Sequence, residues 1–235
     1  MSANPTSIEN TFTDVACNGQ GSGGIDVTVN AVSLANPFTY AWSNGATTQD
    51  LTGITGGTYT LLAYDANGCS FYTGATISEP PLLEGYFDKT DKSCGGGIDN
   101  GTIDVTIFGG STPYTYSWSN GAITEDLTGL NAGTYTLTAT DSNLCTVVIP
   151  VTITEPNVLG QNGQVTPVNC LNGSDGKIDV TPFGGNLPYG FSWSSGEVSE
   201  DLIGLTANTY TMTITDAKGC IHSAPYVVTE PPTAV

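Results

Sequence analysis

Residues 113–121 read PYTYSWSNG. Tyr114, Tyr116 and Trp118 alternate with Thr115 and Ser117, so the aromatics share one face of an extended strand and the small polar residues take the other. Aromatic and β-branched residues suit a pleated, half-buried surface. Asn120-Gly121 then supplies the positive backbone dihedrals of a tight hairpin turn. The stretch recurs as PFTYAWSNG over 37–45 and PYGFSWSSG over 188–196, and the three copies hold the three tryptophans, Trp42, Trp118 and Trp193.

The spacing of the copies sets the architecture. Trp42 and Trp118 are 76 residues apart (118 − 42), and Trp118 and Trp193 are 75 apart (193 − 118). The cysteines keep the same beat in two series: Cys17, Cys94, Cys170 and Cys69, Cys145, Cys220. This period exceeds a solenoid repeat and is long enough for a small domain with its own core. The expectation is three tandem domains over 1–81, 82–157 and 158–235, joined by short linkers that follow Glu79-Pro80, Glu155-Pro156 and Glu230-Pro231. Proline stops strand pairing and stiffens such linkers.

Composition removes several function classes. With 22 acidic residues against 4 basic ones and a net charge of −18, no basic patch can form to bind nucleic acid, and an anionic membrane surface repels the chain. Only 11% of residues are charged, and 30 are glycine, which fits many short strands and tight turns. No apolar run is long enough to span a bilayer, and MSANPTSIEN lacks the basic and apolar regions of a signal peptide. Paired cysteines in every copy nonetheless point to an oxidising compartment, so the sequence reads as an internal segment of a longer array.

Each copy reads as about seven short strands without helical periodicity. Ile25, Val27 and Val29 alternate with polar residues, as do Ile103, Val105, Ile107 and Ile178, Val180. The segments 51–59, 127–135 and 202–210 resemble the tyrosine corner of immunoglobulin-like sandwiches, with Tyr59, Tyr135 and Tyr210 as the corner residues. The fold class expected is all-β, with three tandem immunoglobulin-like or PKD-like β-sandwich domains in an elongated array. Trp42, Trp118 and Trp193 read as core residues rather than sugar platforms, and Tyr59, Tyr135 and Tyr210 are expected in the core with them.

Candidate chemistry is sparse. Six cysteines allow fifteen pairings; threefold repetition makes Cys17–Cys69, Cys94–Cys145 and Cys170–Cys220 the simplest set, whereas pairing between neighbouring copies strands two thiols. Recurrent aspartates (Asp26, Asp50, Asp65 and their counterparts) read as turn caps, because an enzyme rarely repeats its site in every module. IDNG at 98–101 and NGSDG at 172–176 carry the oxygen ligands calcium takes, but they match neither an EF-hand nor the nonapeptide calcium repeat. His222, the one histidine, has no nucleophile pattern around it, and Gly109-Gly110 and Gly184-Gly185 lack the lysine and helix of a phosphate loop. No catalytic, cofactor or metal residue is assigned.

The ordered set of motifs closely resembles the SprB repeat of Bacteroidota surface proteins. The set runs cysteine, Gly-rich loop, Ile-Asp-Val strand, Gly-Gly, PYTYSWSNG, Asp-Leu-Thr-Gly-Leu, Ala-Gly-Thr-Tyr, Thr-Asp-x-x-x-Cys and Thr-Glu-Pro, over nearly the whole chain. Copy one departs with NAVSLAN at 30–36, and copy three with Asn208 and Ser195. The resemblance implies a non-catalytic stalk of a filamentous adhesin, exported by the type IX system and used in attachment and gliding. Its partners would be neighbouring repeats, or a surface polysaccharide or glycan under the alternative of a carbohydrate- or surface-binding module array accessory to a secreted hydrolase.

Overall fold

The structure, a computed structural model, describes residues 7–30, 36–97 and 99–232. Most of the NAVSLAN loop, Ile98 and the last three residues of PPTAV lie outside the described residues. Eighteen strands and no helix are present among them, six strands to a copy. Copy one holds β1 (Ser7–Thr13), β2 (Gly23–Asn30), β3 (Thr39–Trp42), β4 (Leu51–Ile54), β5 (Gly57–Tyr64) and β6 (Ser70–Ile77). Copy two holds β7 (Glu84–Thr90), β8 (Gly101–Phe108), β9 (Thr115–Trp118), β10 (Leu127–Leu130), β11 (Gly133–Thr140) and β12 (Thr146–Ile153). Copy three holds β13 (Gly160–Thr166), β14 (Gly176–Phe183), β15 (Gly190–Trp193), β16 (Leu202–Leu205), β17 (Asn208–Thr215) and β18 (Ile221–Val228).

Every copy builds the same two three-stranded sheets, β1-β2-β4 and β3-β5-β6 in the first copy and their counterparts in the others. These are β-sandwiches with immunoglobulin-like features, and none is closed into a barrel. By contacts the chain divides into two compact units: Met1–Phe87, Val105–Glu125 and Thr136–Pro150 form one, and Asp88–Asp104, Asp126–Tyr135 and Val151–Val235 the other. Each unit thus contains one whole copy and a share of the second.

Alternation explains the cores. In β2, Ile25 and Val27 are buried while Asp26 and Thr28 are exposed, and β8 and β14 repeat the pattern. Trp42, Trp118 and Trp193 are all buried, and each indole N–H donates at 2.9 Å to the carbonyl six residues on, of Thr48, Thr124 or Ser199. That bond satisfies the single polar atom of a buried ring. The corner hydroxyls of Tyr59, Tyr135 and Tyr210 donate to the carbonyls of Thr55, Asn131 and Thr206, four residues upstream in each case; of the three expected in the core, Tyr210 is buried and Tyr59 and Tyr135 are half-buried, because the hydroxyl bond holds the ring at the rim of the sheet.

Three expectations need correction. Among the described residues the strands number six per copy, against about seven expected. The Asn-Gly turn after each aromatic strand is not a two-residue hairpin: β3 pairs with β5, whereas β4 pairs with β2 in the other sheet. Only Gly45, Gly121 and Gly196 have positive φ there, and a type I′ hairpin requires it at both central residues. Asn44 and Asn120 instead accept the N–H groups of Ala46 and Ala122 through their side chains, and the turn carries the chain from one sheet to the other.

The third correction concerns the sulfurs. They pair as Cys17–Cys145 and Cys94–Cys220, with Cα–Cα distances of 5.7 and 5.6 Å, and Cys69 and Cys170 are free and exposed. The within-copy pairs are ruled out by strand direction. Asn10 Nδ2 donates to Gly74 O and Val15 N to Ser78 O, so β1 and β6 run side by side in the same direction. Cys17 follows β1 at one pole of the sandwich, beside residues 78–80, while Cys69 precedes β6 at the other. The eight residues of β6 alone separate the two by about 26 Å at ~3.3 Å per residue, against the 4.4–6.8 Å that a disulfide bridges.

Candidate functional site

The recurring constellation of polar groups gathers around each disulfide. In the first unit, Ala16 and Cys17 of copy one meet Ser111, Asn143 and Cys145 of copy two. In the second unit, Ser93 and Cys94 of copy two meet Asn186 and Cys220 of copy three. We call these the first and second joints. Each is a candidate interface between successive repeats, assembled from two carboxylate-organised pieces and the linker between the copies.

The first piece is the loop that carries the leading cysteine. The glutamate of each Glu-Pro pair reaches back to it: Glu79 Oε2 accepts from Gly19 N at 3.1 Å, Glu155 Oε2 from Gly96 N at 3.4 Å and Glu230 Oε2 from Asn172 N at 2.9 Å. Sequence reasoning read Glu-Pro only as a terminator, because the N–H group each glutamate accepts lies 60, 59 or 58 residues back along the chain. In copy two, Lys92 occupies the place of Val15 and Val168, whose backbone N–H groups make the same bond to the end of the last strand. Its side chain is 3% exposed and sits 3.1 Å from both Glu155 and Asp99. The Glu155 carboxylate holds the Lys92 ammonium above its ordinary range, and Lys92 holds Glu155 below its own.

The second piece is the turn that carries the trailing cysteine, built on a buried aspartate. Asp65, Asp141 and Asp216 are 6%, 3% and 5% exposed. Through Oδ1 each accepts two backbone N–H groups: Asn67 and Cys69, Asn143 and Cys145, Lys218 and Cys220, all within 2.8–2.9 Å. The other oxygen of Asp141 accepts Ser111 N, and that of Asp216 accepts both Asn186 N and Asn186 Nδ2. Burial pushes the Asp216 carboxyl up, but the bonds from Asn186, Cys220 and Lys218 outweigh it and hold the group below its ordinary value.

The third piece is the linker. Gly110 N donates to Pro81 O and Gly185 N to Asn157 O, clamping the linker against the Gly-Gly loop. Glycine is required at Gly109 and Gly184: φ is +76° and +70°, and a Cβ there would lie 1.8 Å from Leu82 O and 2.0 Å from Val158 O. The following leucines, Leu83 and Leu159, are buried, so the linkers are docked rather than loose. Across each joint an amide side chain then donates to the carbonyl preceding the leading cysteine: Asn143 Nδ2 to Ala16 O, and Asn186 Nδ2 to Ser93 O, both at 2.9 Å.

The remaining candidates have local partners. Asp50 and Asp201 accept the N–H of Val27 and Val180, pinning the second strand of the sandwich. Asp99 of the IDNG loop is paired with Lys92 and Asn131, and Asp175 of NGSDG accepts from Asn169 N and Nδ2, which hold its carboxyl below the ordinary range. Among the described residues no group of three or more His, Cys, Asp or Glu side chains is arranged to hold a metal ion. His222 is half-buried in β18, opposite Ile214.

The family model described as SprB repeat matches the chain at 9–47, 87–123 and 162–198, each time from the first strand to the region of the turn after the tryptophan. Among curated proteins no sequence matches the chain. Solved structures that align with the chain include three N-terminal domains of the bacteriophage RB49 highly immunogenic outer capsid protein. That pair shows 15% identity over 97% of this chain and 99% of that one, with TM-score 0.42. The N-terminal eight Ig domains of Down syndrome cell adhesion molecule align at 14% identity over 99% of this chain and 44% of that one, TM-score 0.46. A fragment of intimin in complex with the translocated intimin receptor aligns at 15% identity, 68% and 67% coverage, TM-score 0.37.

Proposed function

We propose, for a chain that carries three SprB repeats, that it is a non-catalytic spacer segment of a secreted cell-surface adhesin. Its modules are bounded near residues 81 and 157, and its sulfurs fix each repeat to the next. The observation that carries this reading is the pairing of Cys17 with Cys145 and Cys94 with Cys220. Such bonds persist in oxidising compartments, and here they lock successive modules rather than stapling individual cores. Repeats of this family belong to cell-surface proteins, which favours an extracellular position on the outer membrane of the parent protein's cell, export by the type IX route and use in attachment and gliding. Neighbouring repeats are then the principal partners.

A second reading, glycan binding, is favoured by one exposed aromatic pair. Tyr86 and Phe108 are 57% and 45% exposed, with ring centroids 6.3 Å apart. Such faces can stack on sugars. Antibodies against residues 82–157 applied to intact cells test the first reading. They should label the surface, and cells whose adhesin lacks this segment should attach less. Label reaching the segment only after cells are broken open would refute it, and sugar-dependent binding abolished by Tyr86→Ala would favour the second.

A further inference from the structure

The two joints follow one rule: the leading cysteine of a copy bonds the trailing cysteine of the next. Cys17 takes Cys145, and Cys94 takes Cys220. The rule leaves one cysteine of each kind, the leading Cys170 and the trailing Cys69, and both are exposed thiols. We propose that these are complementary halves of a third joint of the same kind, which a second copy of this segment closes: Cys170 of one copy bonds Cys69 of the other, head to tail.

Both halves already hold the arrangement seen in the closed joints. Around Cys170, Asn172 N donates to Glu230 Oε2, Val168 N to Thr229 O and Gly173 N to Cys170 O. Around Cys17, which is bonded, Gly19 N donates to Glu79 Oε2, Val15 N to Ser78 O and Gln20 N to Cys17 O. Around Cys69, Asp65 Oδ1 accepts Asn67 N and Cys69 N, and Gly68 N donates to Asp65 O. Around the bonded Cys220, Asp216 accepts Lys218 N, Cys220 N and, through its carbonyl, Gly219 N in the same way. Asn67 also stands at the position of Asn143, whose amide donates to the carbonyl before the leading cysteine. In the third joint that bond runs from Asn67 Nδ2 to Asn169 O. The occupant is therefore defined by continuity with two joints in the same chain, and thiol exposure is only its last condition.

The chemistry needs a disulfide oxidant, such as oxidised glutathione. The Cys170 thiolate attacks it and releases one glutathione thiolate; the Cys69 thiolate of the second molecule attacks the mixed disulfide and releases the other. One S–S bond is exchanged for another, and the two cysteine protons end on the two released thiols. When two copies of this segment meet, no linker connects them and each carries a net charge of −18, so association depends on this bond. The proposal rests on joint geometry and not on the adhesin reading.

The test oxidises the intact chain with oxidised glutathione at physiological salt and reads it on a non-reducing gel, with peptide mapping of the cross-link. The expected result is a ladder of multimers, collapsed by reductant, with Cys170 mapped to Cys69. Cys69→Ser alone and Cys170→Ser alone should stay monomeric, while a mixture of the two should give dimer and stop there. Neither cysteine is bonded or buried, so both variants should keep the parent's melting temperature; Cys69→Ala and Cys170→Ala serve if either serine variant does not. Homodimers of the single variants as abundant as the mixed dimer, or no ladder at all, would overturn the proposal.

Discussion

The two joints make the same bond from different places. At the first, the amide donated to Ala16 O comes from Asn143, two residues before the trailing cysteine, and Ser111 occupies the Gly-Gly loop. At the second, the amide donated to Ser93 O comes from Asn186 in the Gly-Gly loop, and Lys218 stands where Asn143 stood. What is kept is a donor aimed at the carbonyl before the leading cysteine. The residue that supplies it moves between two loops held together by one buried aspartate. A bond that survives such a relocation belongs to the interface, not to the fold of either copy.

The largest test of this equivalence removes a disulfide. Cys17→Ser with Cys145→Ser opens a covalent loop with a sequence separation of 128, and Cys94→Ser with Cys220→Ser one of 126. By chain entropy each loss should cost about 4–5 kcal/mol, equal at the two joints within about 1. Denaturant unfolding of both double variants measures it; a joint whose removal leaves the midpoint unchanged would end the equivalence.

Next in size are the aspartates. Asp216→Ala leaves three backbone N–H groups and the Asn186 amide without their acceptor, and should cost about 2–4 kcal/mol, somewhat more than Asp141→Ala. The sign with pH follows from the depressed Asp216 value. Its contribution is complete above the ordinary 3.8 and is lost as pH falls from there through the lower folded value. Unfolding midpoints between neutral pH and strong acid should show this loss in the parent chain, and a smaller one in Asp216→Ala.

The smallest effect is the most specific. Asn143→Ala should cost about 1 kcal/mol, and Ser111→Asn added to it should recover most of that by supplying the amide from the loop that the second joint uses. Thermal melts of the single and double variants decide this. No recovery would mean that the two loops are not interchangeable.

Much of the sandwich was legible in the sequence, and the joints were not. Alternation around Ile103 and Val105, the aromatic strand ending in Trp118 and the corner tyrosines are local signals with a period of two or a fixed offset, and each finds its strand or bond in the structure. The sulfur pairing depended on which end of β6 each cysteine occupies, a question of strand direction that composition and spacing do not answer. The positions were in hand, because Cys17 follows the first strand and Cys69 opens the last; missing was the parallel neighbourhood of those strands. Glu79 failed for a related reason. Its partner, Gly19 N, lies 60 residues away, beyond any local pattern.

The order of the sulfurs also governs how the chain carries tension. Pulled from its two ends with both bonds intact, the polypeptide transmits load from Cys17 across to Cys145, then backwards along the chain to Cys94, and across again to Cys220. Only 51 residue steps (145 − 94) lie on that path, instead of the 203 (220 − 17) of the uncrosslinked chain. At about 3.4 Å per step, the contour between Cys17 and Cys220 cannot exceed roughly 180 Å even when every sandwich has unravelled, against nearly 700 Å after reduction. Residues 18–93 and 146–219 lie off the load path, so the stretch they would otherwise contribute stays locked until a sulfur bond breaks.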